Sequence, residues 1–253
     1  MTFLADDERS PYEVVGEGSR SRWVLVCDHA GRALPRAVGS LGLAARELER
    51  HIAWDIGAAA LARALVEALD GFLILQTYSR LVIDCNRPLS SPDSIAKRSE
   101  DTSIPGNQDV SREEAELRAR SIFEPYHARI RRELDDRAAS GKAPHLIFVH
   151  SFTPIFRGVA RPWHAGVLYH RDTRLAGPVL EALRREPGLV VGDNEPYAAS
   201  ASTDYGIIEH AERRGLPYVE LEVRQDLLGD SSGIRTWADR LARVLKESAV
   251  FPH

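Results

Sequence analysis

The sequence predicts an α/β fold in a single domain, in which helices cover both faces of a central sheet. Short apolar runs of strand length alternate along the chain with longer segments of helical periodicity, a pattern typical of α/β proteins. Some runs, such as residues 23–27 and 146–149, are apolar throughout, as expected for strands that are buried on both faces. No linker-like stretch divides the 253 residues. We therefore predict one domain over residues 21–253, preceded by an irregular polar arm over residues 1–20.

The individual elements are predicted from periodicity and from helix start and stop signals. The predicted strands are residues 23–27, 72–77, 81–84, 145–149, 166–169, 189–191 and 217–223. The predicted helices are residues 43–69, in two pieces broken near residues 54–57, and residues 111–139, 173–185, 203–215 and 231–247. Ser111 and Glu114 have capping-box spacing, whereas Pro125 should kink or split the helix that Ser111 starts. Residues 88–110 are rich in Ser, Pro, Asp and Gly and predict a long loop of the kind that usually serves a functional site.

Composition narrows the classes of function. The chain has 43% hydrophobic and 28% charged residues, and its net charge of −4 lacks the basic excess typical of nucleic-acid-binding proteins. No apolar run has the length of a membrane span. The N-terminal segment does not have the pattern of a secretory signal, and two cysteines are too few for a disulfide framework. We therefore expect a cytoplasmic protein with a small-molecule partner, without a nucleic-acid or membrane partner.

Polar side chains end or interrupt three of the predicted strands. The run VLVCDH places His29 at the end of one strand, and HLIFVH places His150 at the end of another. In YVELEV, Glu220 and Glu222 share one face of a third strand. In open α/β sheets ligands bind beyond the carboxyl ends of strands, and a buried charge is costly unless it is paired or metal-bound. As a set these residues predict a functional site, although each histidine alone could be an ordinary polar residue and Glu222 could pair with Arg224.

A catalytic zinc site needs three protein ligands and an open position for water. His29 and His150 can supply two nitrogen ligands, and Asp55 in HIAWDIGA is our choice for the third. The helix that follows Asp55 has an inward-facing apolar stripe, which would place the carboxylate near the core. His51, one helical turn earlier, is the alternative, either as a ligand or as the partner of one. Taken alone, Asp55 is better explained as a helix N-cap.

The stretch SRLVIDCNRP carries a candidate anion-binding set. Arg87 and Asn86 follow a short predicted strand and could hold the carboxylate of a substrate, because the planar guanidinium matches a carboxylate in two hydrogen bonds. Arg80 could stabilise a developing oxyanion. A structural ion pair with Asp84 or Asp28 explains the arginines about equally well.

Seven motifs in the same order resemble the N-formylglutamate amidohydrolase family. The resemblance spans residues 24–228 and implies a fold related to zinc carboxypeptidases and to deacylases of succinylglutamate and aspartate derivatives. The implied architecture is a three-layer α/β/α domain with a mixed, mostly parallel central sheet. The implied activity is hydrolysis of N-formylglutamate to glutamate and formate, in histidine breakdown. The motifs are CDHAGRALP, HIAWDIGA, SRLVIDCNRP, IPGN, VHSFTP, DNEPY and VELEVRQDLL.

The resemblance also implies roles for individual residues. It implies a metal, expected to be Zn²⁺ with other divalent metals possible, whose expected ligands are His29, Asp55 and His150. It implies Glu222 as the general base. The residues expected to contact the substrate or its oxyanion are Arg80, Asn86, Arg87, Asn194, Tyr197 and His210. Where zinc peptidases carry a glutamate three residues after the first histidine, this chain has Arg32, so Asp55 rests on the local pattern instead.

Two other functions remain open at this stage. The same pocket could bind an acidic amino-acid derivative without hydrolysing it, as a sensor does. It could also belong to a zinc deacylase or peptidase that acts on another amide. Metal content separates the first alternative from an enzyme, and a panel of N-acyl amino acids separates the second from a deformylase.

Overall fold

A seven-stranded mixed sheet forms the centre of the protein, as seen in a computed structural model that describes residues 3–249. The strands are β1 (Tyr12–Val15), β2 (Trp23–Cys27), β3 (Phe72–Gln76), β4 (Arg98–Ser99), β5 (Thr102–Ser103), β6 (His145–Phe152), β7 (Ile155–Phe156), β8 (Val159–Ala160), β9 (Ala165–Leu168), β10 (Val191–Asp193) and β11 (Tyr218–Arg224). The helices are α1 (Ala45–Leu48), α2 (Ala58–Leu69), α3 (Arg112–Arg118), α4 (Glu124–Ala139), α5 (Ala176–Arg184) and α6 (Ser231–Ser248).

The strand order in this sheet is β1-β3-β2-β6-β11-β9-β10. Neighbouring strands are parallel except at two places, where β1 pairs with β3 and β11 pairs with β9 in antiparallel fashion. The predicted mixed, mostly parallel sheet is therefore confirmed. Strands β4 with β5 and β7 with β8 form two separate short hairpins.

Apolar side chains cover both faces of the sheet. Along β2, Leu25 points into a core that includes α2, α5 and α6, whereas Val24 and Val26 point into a second core that includes α4. Both cores are buried, which agrees with the predicted α/β/α layers and with strands that are apolar on both sides. Within residues 3–249, no helix is long and apolar enough to cross a membrane.

The structure corrects two predictions near the sheet. Tyr12–Val15 is a strand that pairs with β3, so the expectation of an irregular arm is wrong for these residues. Residues 81–84 form a turn and not a strand, because tertiary hydrogen bonds replace a ladder. Asn107 Nδ2 donates to the Leu81 carbonyl at 2.8 Å, and the Asp84 amide donates to the Ser94 carbonyl at 2.8 Å.

Several helical predictions are confirmed and others change in detail. The predicted break near residues 54–57 is confirmed, since α2 begins only after Gly57. Ser111 caps α3, and its Oγ accepts a hydrogen bond from the Glu114 amide. Pro125 does not split the long helix, because a π-helical turn over Ala119–Phe123 joins α3 to α4 just before the proline. The helix predicted over residues 203–215 is a π-helical turn followed by a 3₁₀ turn, Ile207–Ala211 and Glu212–Arg214.

Candidate active site

The candidate site lies where three central strands bring polar side chains together. His29 is the second residue after β2, and His150 lies on β6, the neighbour of β2. Glu222 on β11 is the register partner of His150, so the two side chains share one face of the sheet. All three residues are buried and line a cavity of about 450 Å³, within the range of about 300–1,000 Å³ typical of small-molecule sites.

Local backbone geometry brings His29 and Asp55 together. The Asp55 amide donates a hydrogen bond to the His29 carbonyl at 3.0 Å. Gly31 holds the turn after β2 against the end of β3, where an added Cβ would lie 1.9 Å from the Thr77 carbonyl oxygen. Gly57, at φ +85°, then turns the chain from Asp55 into α2. Asp55 is thus two residues before the N-cap and is not the N-cap itself.

His29, Asp55 and His150 form a compact triad. One potential ligand atom from each residue lies within 4.8 Å of the other two. Asp55 Oδ2 is 2.9 Å from His150 Nδ1 and 3.5 Å from His29 Nδ1. Two imidazole nitrogens and a carboxylate are a suitable donor set for a catalytic zinc ion. His29 Nδ1 is buried without a hydrogen-bond partner among residues 3–249, which fits an atom that would ligate a metal.

Two further carboxylates face the remaining nitrogens of the histidines. His29 Nε2 is 2.8 Å from Asp84 Oδ1, and His150 Nε2 is 3.8 Å from Asp28 Oδ2. The Asp84 contact is a hydrogen bond of the kind that orients the ring of a metal-binding histidine and raises its basicity, whereas Asp28 forms no hydrogen bond with His150 among residues 3–249. The arrangement leaves the Nδ1 atoms of both rings directed toward Asp55.

The carboxyl groups of the site differ in their pKa values. Burial raises the pKa of Glu222 to about 8, although the positive charge of His150 opposes the shift. Burial also holds the pKa of Glu220 well above its ordinary value. Burial has the same tendency at Asp55 and Asp84, but neighbouring positive charges outweigh it, and both pKa values are lowered. The site therefore combines two ionised carboxylates with two that favour the protonated form.

Arg80 lies beside the triad and is held by two carboxylates. Its Nη2 is 2.8 Å from Asp84 Oδ2, and its Nη1 is 3.4 Å from Asp55 Oδ1. The ion pair with Asp84, one of the alternatives from the sequence, is therefore present, while Arg80 also lines the cavity.

Asn86 and Arg87 line the cavity, and both also contact the turn that precedes Gly206 along the chain. Asn86 Oδ1 accepts from the Gly206 amide at 3.4 Å, and Arg87 donates through Nη1 to the Thr203 carbonyl. Both side chains thus support the turn in addition to facing the cavity.

A family model described as FGase, N-formylglutamate amidohydrolase, matches residues 21–229. The chain belongs to the N-formylglutamate amidohydrolase family. It is an amidohydrolase, as the sequence motifs implied. None of the curated proteins is similar enough to match it.

Two solved structures resemble the chain over nearly its whole length. The gene product Atu2144 from Agrobacterium tumefaciens shares 34% identity, with 97% of each chain covered and a TM-score of 0.94. The N-formylglutamate amidohydrolase from Ralstonia eutropha JMP134 shares 19% identity, covers 95% of this chain and 97% of its own, and has a TM-score of 0.67. The second comparison supports the fold.

The three residues taken from further family motifs have different environments. Tyr197 lines the cavity, and its hydroxyl accepts a hydrogen bond from Arg161 at 2.9 Å. Asn194 does not line the cavity, because its side chain accepts from the Tyr169 amide at 3.0 Å. His210 is fully buried in the core, where its Nε2 is 2.8 Å from His127 Nδ1. Tyr197 thus lies at the cavity, whereas Asn194 and His210 are not among the residues that line it.

The loop over residues 88–110 forms one wall of the cavity. Arg98, Ser99 and Glu100 from its β4–β5 hairpin line the space beside the triad. Glu100 Oε1 is 3.2 Å from His51 Nε2, so His51 belongs to this wall and is not part of the triad. Of the two alternatives for the third ligand, Asp55 has the better geometry.

Sequence reasoning missed the carboxylates that face the histidines and one arginine. Asp28 and Asp84 lie in the motifs CDHAG and IDCN, but only the folded chain brings them to the imidazoles. Arg161 lies between β8 and β9 and carried no sequence signal beyond its proximity to the motif VHSFTP.

Proposed function

We propose that this amidohydrolase uses a divalent metal, expected to be zinc, to hydrolyse the N-formyl amide of an acidic amino acid. N-formylglutamate, cleaved to glutamate and formate, is the proposed substrate. The observation that carries the proposal is the convergence of His29, Asp55 and His150 on one cavity, with Glu222 beside them. The reaction would make the chain a cytoplasmic enzyme of histidine breakdown.

The donor set fits the proposed metal. His29, Asp55 and His150 would hold the ion, and Asp84 would orient the imidazole of His29. A zinc ion in such a site supplies a Lewis acid and lowers the pKa of a coordinated water.

Glu222 is the proposed general base. In its ionised form it accepts a proton from the attacking water and then donates that proton to the leaving amino group as the amide bond breaks. The water oxygen ends in formate, and the nitrogen ends in the free amino acid. Burial of Glu222 keeps its pKa close to neutral pH, which suits a group that both accepts and donates a proton.

In this proposal the arginines bind the negative charges of the substrate and of the transition state. Arg80 lies next to the triad and would stabilise the oxyanion that forms on the formyl carbon. Arg87 and Asn86 would hold a carboxylate of the amino acid. The wall from residues 88–110 would limit access of bulk water and so strengthen these contacts.

The proposal is tested by formate release from N-formylglutamate, measured with metal-free protein and again after addition of one equivalent of zinc. We expect turnover only with metal, and we expect Glu222→Gln to lower kcat by about 10²- to 10⁴-fold while zinc still binds. Glu220→Gln is the matched control, because Glu220 lies two residues away on the same strand and favours the neutral form that glutamine mimics.

A substrate panel separates the alternatives. N-formyl, N-acetyl and N-succinyl derivatives of glutamate and aspartate are tested with the zinc-loaded protein. If the protein prefers another acyl group, its activity is that of a deacylase and not that of a deformylase. Stoichiometric binding of N-formylglutamate without any hydrolysis or metal requirement would identify a binding protein and refute the proposal.

A further inference from the structure

Arg161 lies against an aromatic wall of the candidate cavity. Its guanidinium carbon is 4.6 Å from the centre of the Phe156 ring and 4.7 Å from that of Tyr197. The Phe152 ring is 5.7 Å away. All three rings line the cavity, so the cation is stacked at its edge in a defined orientation.

The guanidinium of Arg161 keeps most of its hydrogen-bonding capacity free. Among residues 3–249, the hydrogen bond that it donates goes to Tyr197 Oη at 2.9 Å, and it forms no ion pair with a carboxylate. Arginine carries five N–H donors. Arg80, which lines the cavity, is different, since Asp84 already accepts hydrogen bonds from two of its guanidinium nitrogens. A half-buried arginine without an acidic partner is poised to receive an anion.

The position of Arg161 relates it to the proposed chemistry. Tyr197, on whose ring Arg161 stacks, lines the cavity together with Glu222, the proposed base. Asn86 and Arg87 line the cavity from a different segment of the chain, so a carboxylate held at Arg161 would be separate from one held at Arg87.

We propose that Arg161 binds one carboxylate of an N-acyl dicarboxylic amino acid, as a specificity residue distinct from Arg87. The stacked, planar guanidinium receives the carboxylate through two parallel hydrogen bonds. Recognition of two carboxylates would use Arg87, which lines the cavity, and Arg161, which stacks on two aromatic rings of the cavity wall. This inference rests on the proposed function for the identity of the ligand as an N-acyl amino acid.

The experiment measures binding separately from turnover. Calorimetry on zinc-loaded protein in the Glu222→Gln background compares N-formylglutamate with its two monoamides, N-formylglutamine and N-formylisoglutamine. Arg161→Gln is added to this background. Arg157→Gln is the matched control, because Arg157 is an exposed arginine of the same hairpin whose guanidinium carbon lies 5.4 Å from the Phe156 ring centre.

We expect Arg161→Gln to weaken binding of N-formylglutamate by about 10- to 100-fold, and Arg157→Gln to change it by less than about 2-fold, as for a solvent-exposed charge. One monoamide should lose its dependence on Arg161, because it lacks the carboxylate that Arg161 holds. Arg161→Lys, which keeps the charge but not the planar fork, should give an intermediate loss. Far-ultraviolet circular dichroism and zinc content confirm that each variant is folded and loaded.

The possible results separate this inference from the proposed function. An equal loss for the diacid and both monoamides would show that Arg161 acts on the fold of the site and not on one carboxylate, and would overturn the inference. No loss relative to Arg157→Gln, or no binding of the diacid at all, would overturn it as well. Arg161-dependent binding of the diacid by a wild-type protein that releases no formate would leave the inference standing and refute the proposed function.

Discussion

Replacing Asp84 by asparagine tests the proposed metal centre through a residue that is not one of the proposed ligands. Asp84 Oδ1 accepts from His29 Nε2 at 2.8 Å and from the Asn86 amide at 2.8 Å. Its Oδ2 accepts two bonds from Arg80, at 2.8 and 3.1 Å. Asparagine has the same shape but offers only one acceptor oxygen. Its NH₂ group must then face either the imidazole or the guanidinium, both of which are donors.

The size of the effect follows from the hydrogen bond to His29. Loss of a carboxylate that orients a metal-binding imidazole typically weakens metal affinity by about 10- to 100-fold. At about 1.4 kcal/mol for each factor of ten, the expected loss of binding free energy is about 1.4–2.8 kcal/mol. The replacement keeps the volume of the side chain, so packing contributes little to the change.

The assay is competition for zinc between metal-free protein and a chromophoric chelator at neutral pH. Asp204→Asn is the control, because Asp204 is another buried acid of the same cavity, but it accepts from the Ser200 amide at 2.7 Å and contacts no histidine. We expect the control to bind zinc within about 3-fold of the wild type, well below the effect of a lost imidazole partner. Wild-type affinity in a folded Asp84→Asn variant would refute the role of Asp84, and a wild type that binds no zinc would refute the metal centre itself.

Three further outcomes follow. In metal-free protein, burial raises the folded-state pKa of Glu222 from 4.5 to about 8, so the wild type should lose stability as pH rises through this range and Glu222→Gln should not. In urea titrations over this pH range, the free energy of unfolding of the wild type should fall relative to that of Glu222→Gln by about 2–5 kcal/mol. His210→Gln should lower the free energy of unfolding by about 1–3 kcal/mol and leave KM unchanged, because the side chain lies in the core. Gly31→Ala should cost stability near the upper end of about 1–3 kcal/mol, since its Cβ would lie 1.9 Å from the Thr77 carbonyl oxygen. In thermal unfolding, Gly177→Ala in α5 should be neutral or stabilising by up to about 1 kcal/mol.

Each of these outcomes has a clear contrary result. A pH-independent difference between wild type and Glu222→Gln would mean that Glu222 is not buried as described. A raised KM with unchanged stability would return His210 to the binding site. Equal stability changes for Gly31→Ala and Gly177→Ala would mean that the turn after β2 does not pack closely against β3.

The parts of the site that could be predicted from the sequence are those that depend on short-range pattern. His29 was predictable because it closely follows an apolar strand and so lies near the carboxyl end of that strand. His150 was predictable as the polar residue after an apolar run, although the predicted strand end is wrong, since β6 continues to Phe152. Glu222 was predictable from strand alternation. These expectations depend on the alternation of side chains along a strand and on the parallel arrangement of the strands. Short stretches of sequence indicate both features.

The remaining features of the site depend on the path of the chain between strands and helices. Asp84 lies in a segment that looks like a strand by composition, and only the hydrogen bonds from Asn107 and to Ser94 turn it toward His29. His210 sits in a family-like segment, but sequence does not indicate that a π-helical turn directs its side chain at His127 and away from the cavity. Long-range contacts of this kind override local pattern.

The register of β6 with β11 has a consequence for how readily the enzyme could be retargeted. His150 and Glu222 are fixed opposite each other by a ladder of main-chain bonds in the middle of the sheet, whereas Arg87 and Arg161 lie on connecting segments. Grafting or randomising those connections can therefore alter which substrate is accepted while the proposed metal ligand His150 and the proposed base Glu222 keep their spacing. A library confined to the connections should yield new selectivities at a higher rate than one that includes the two strands.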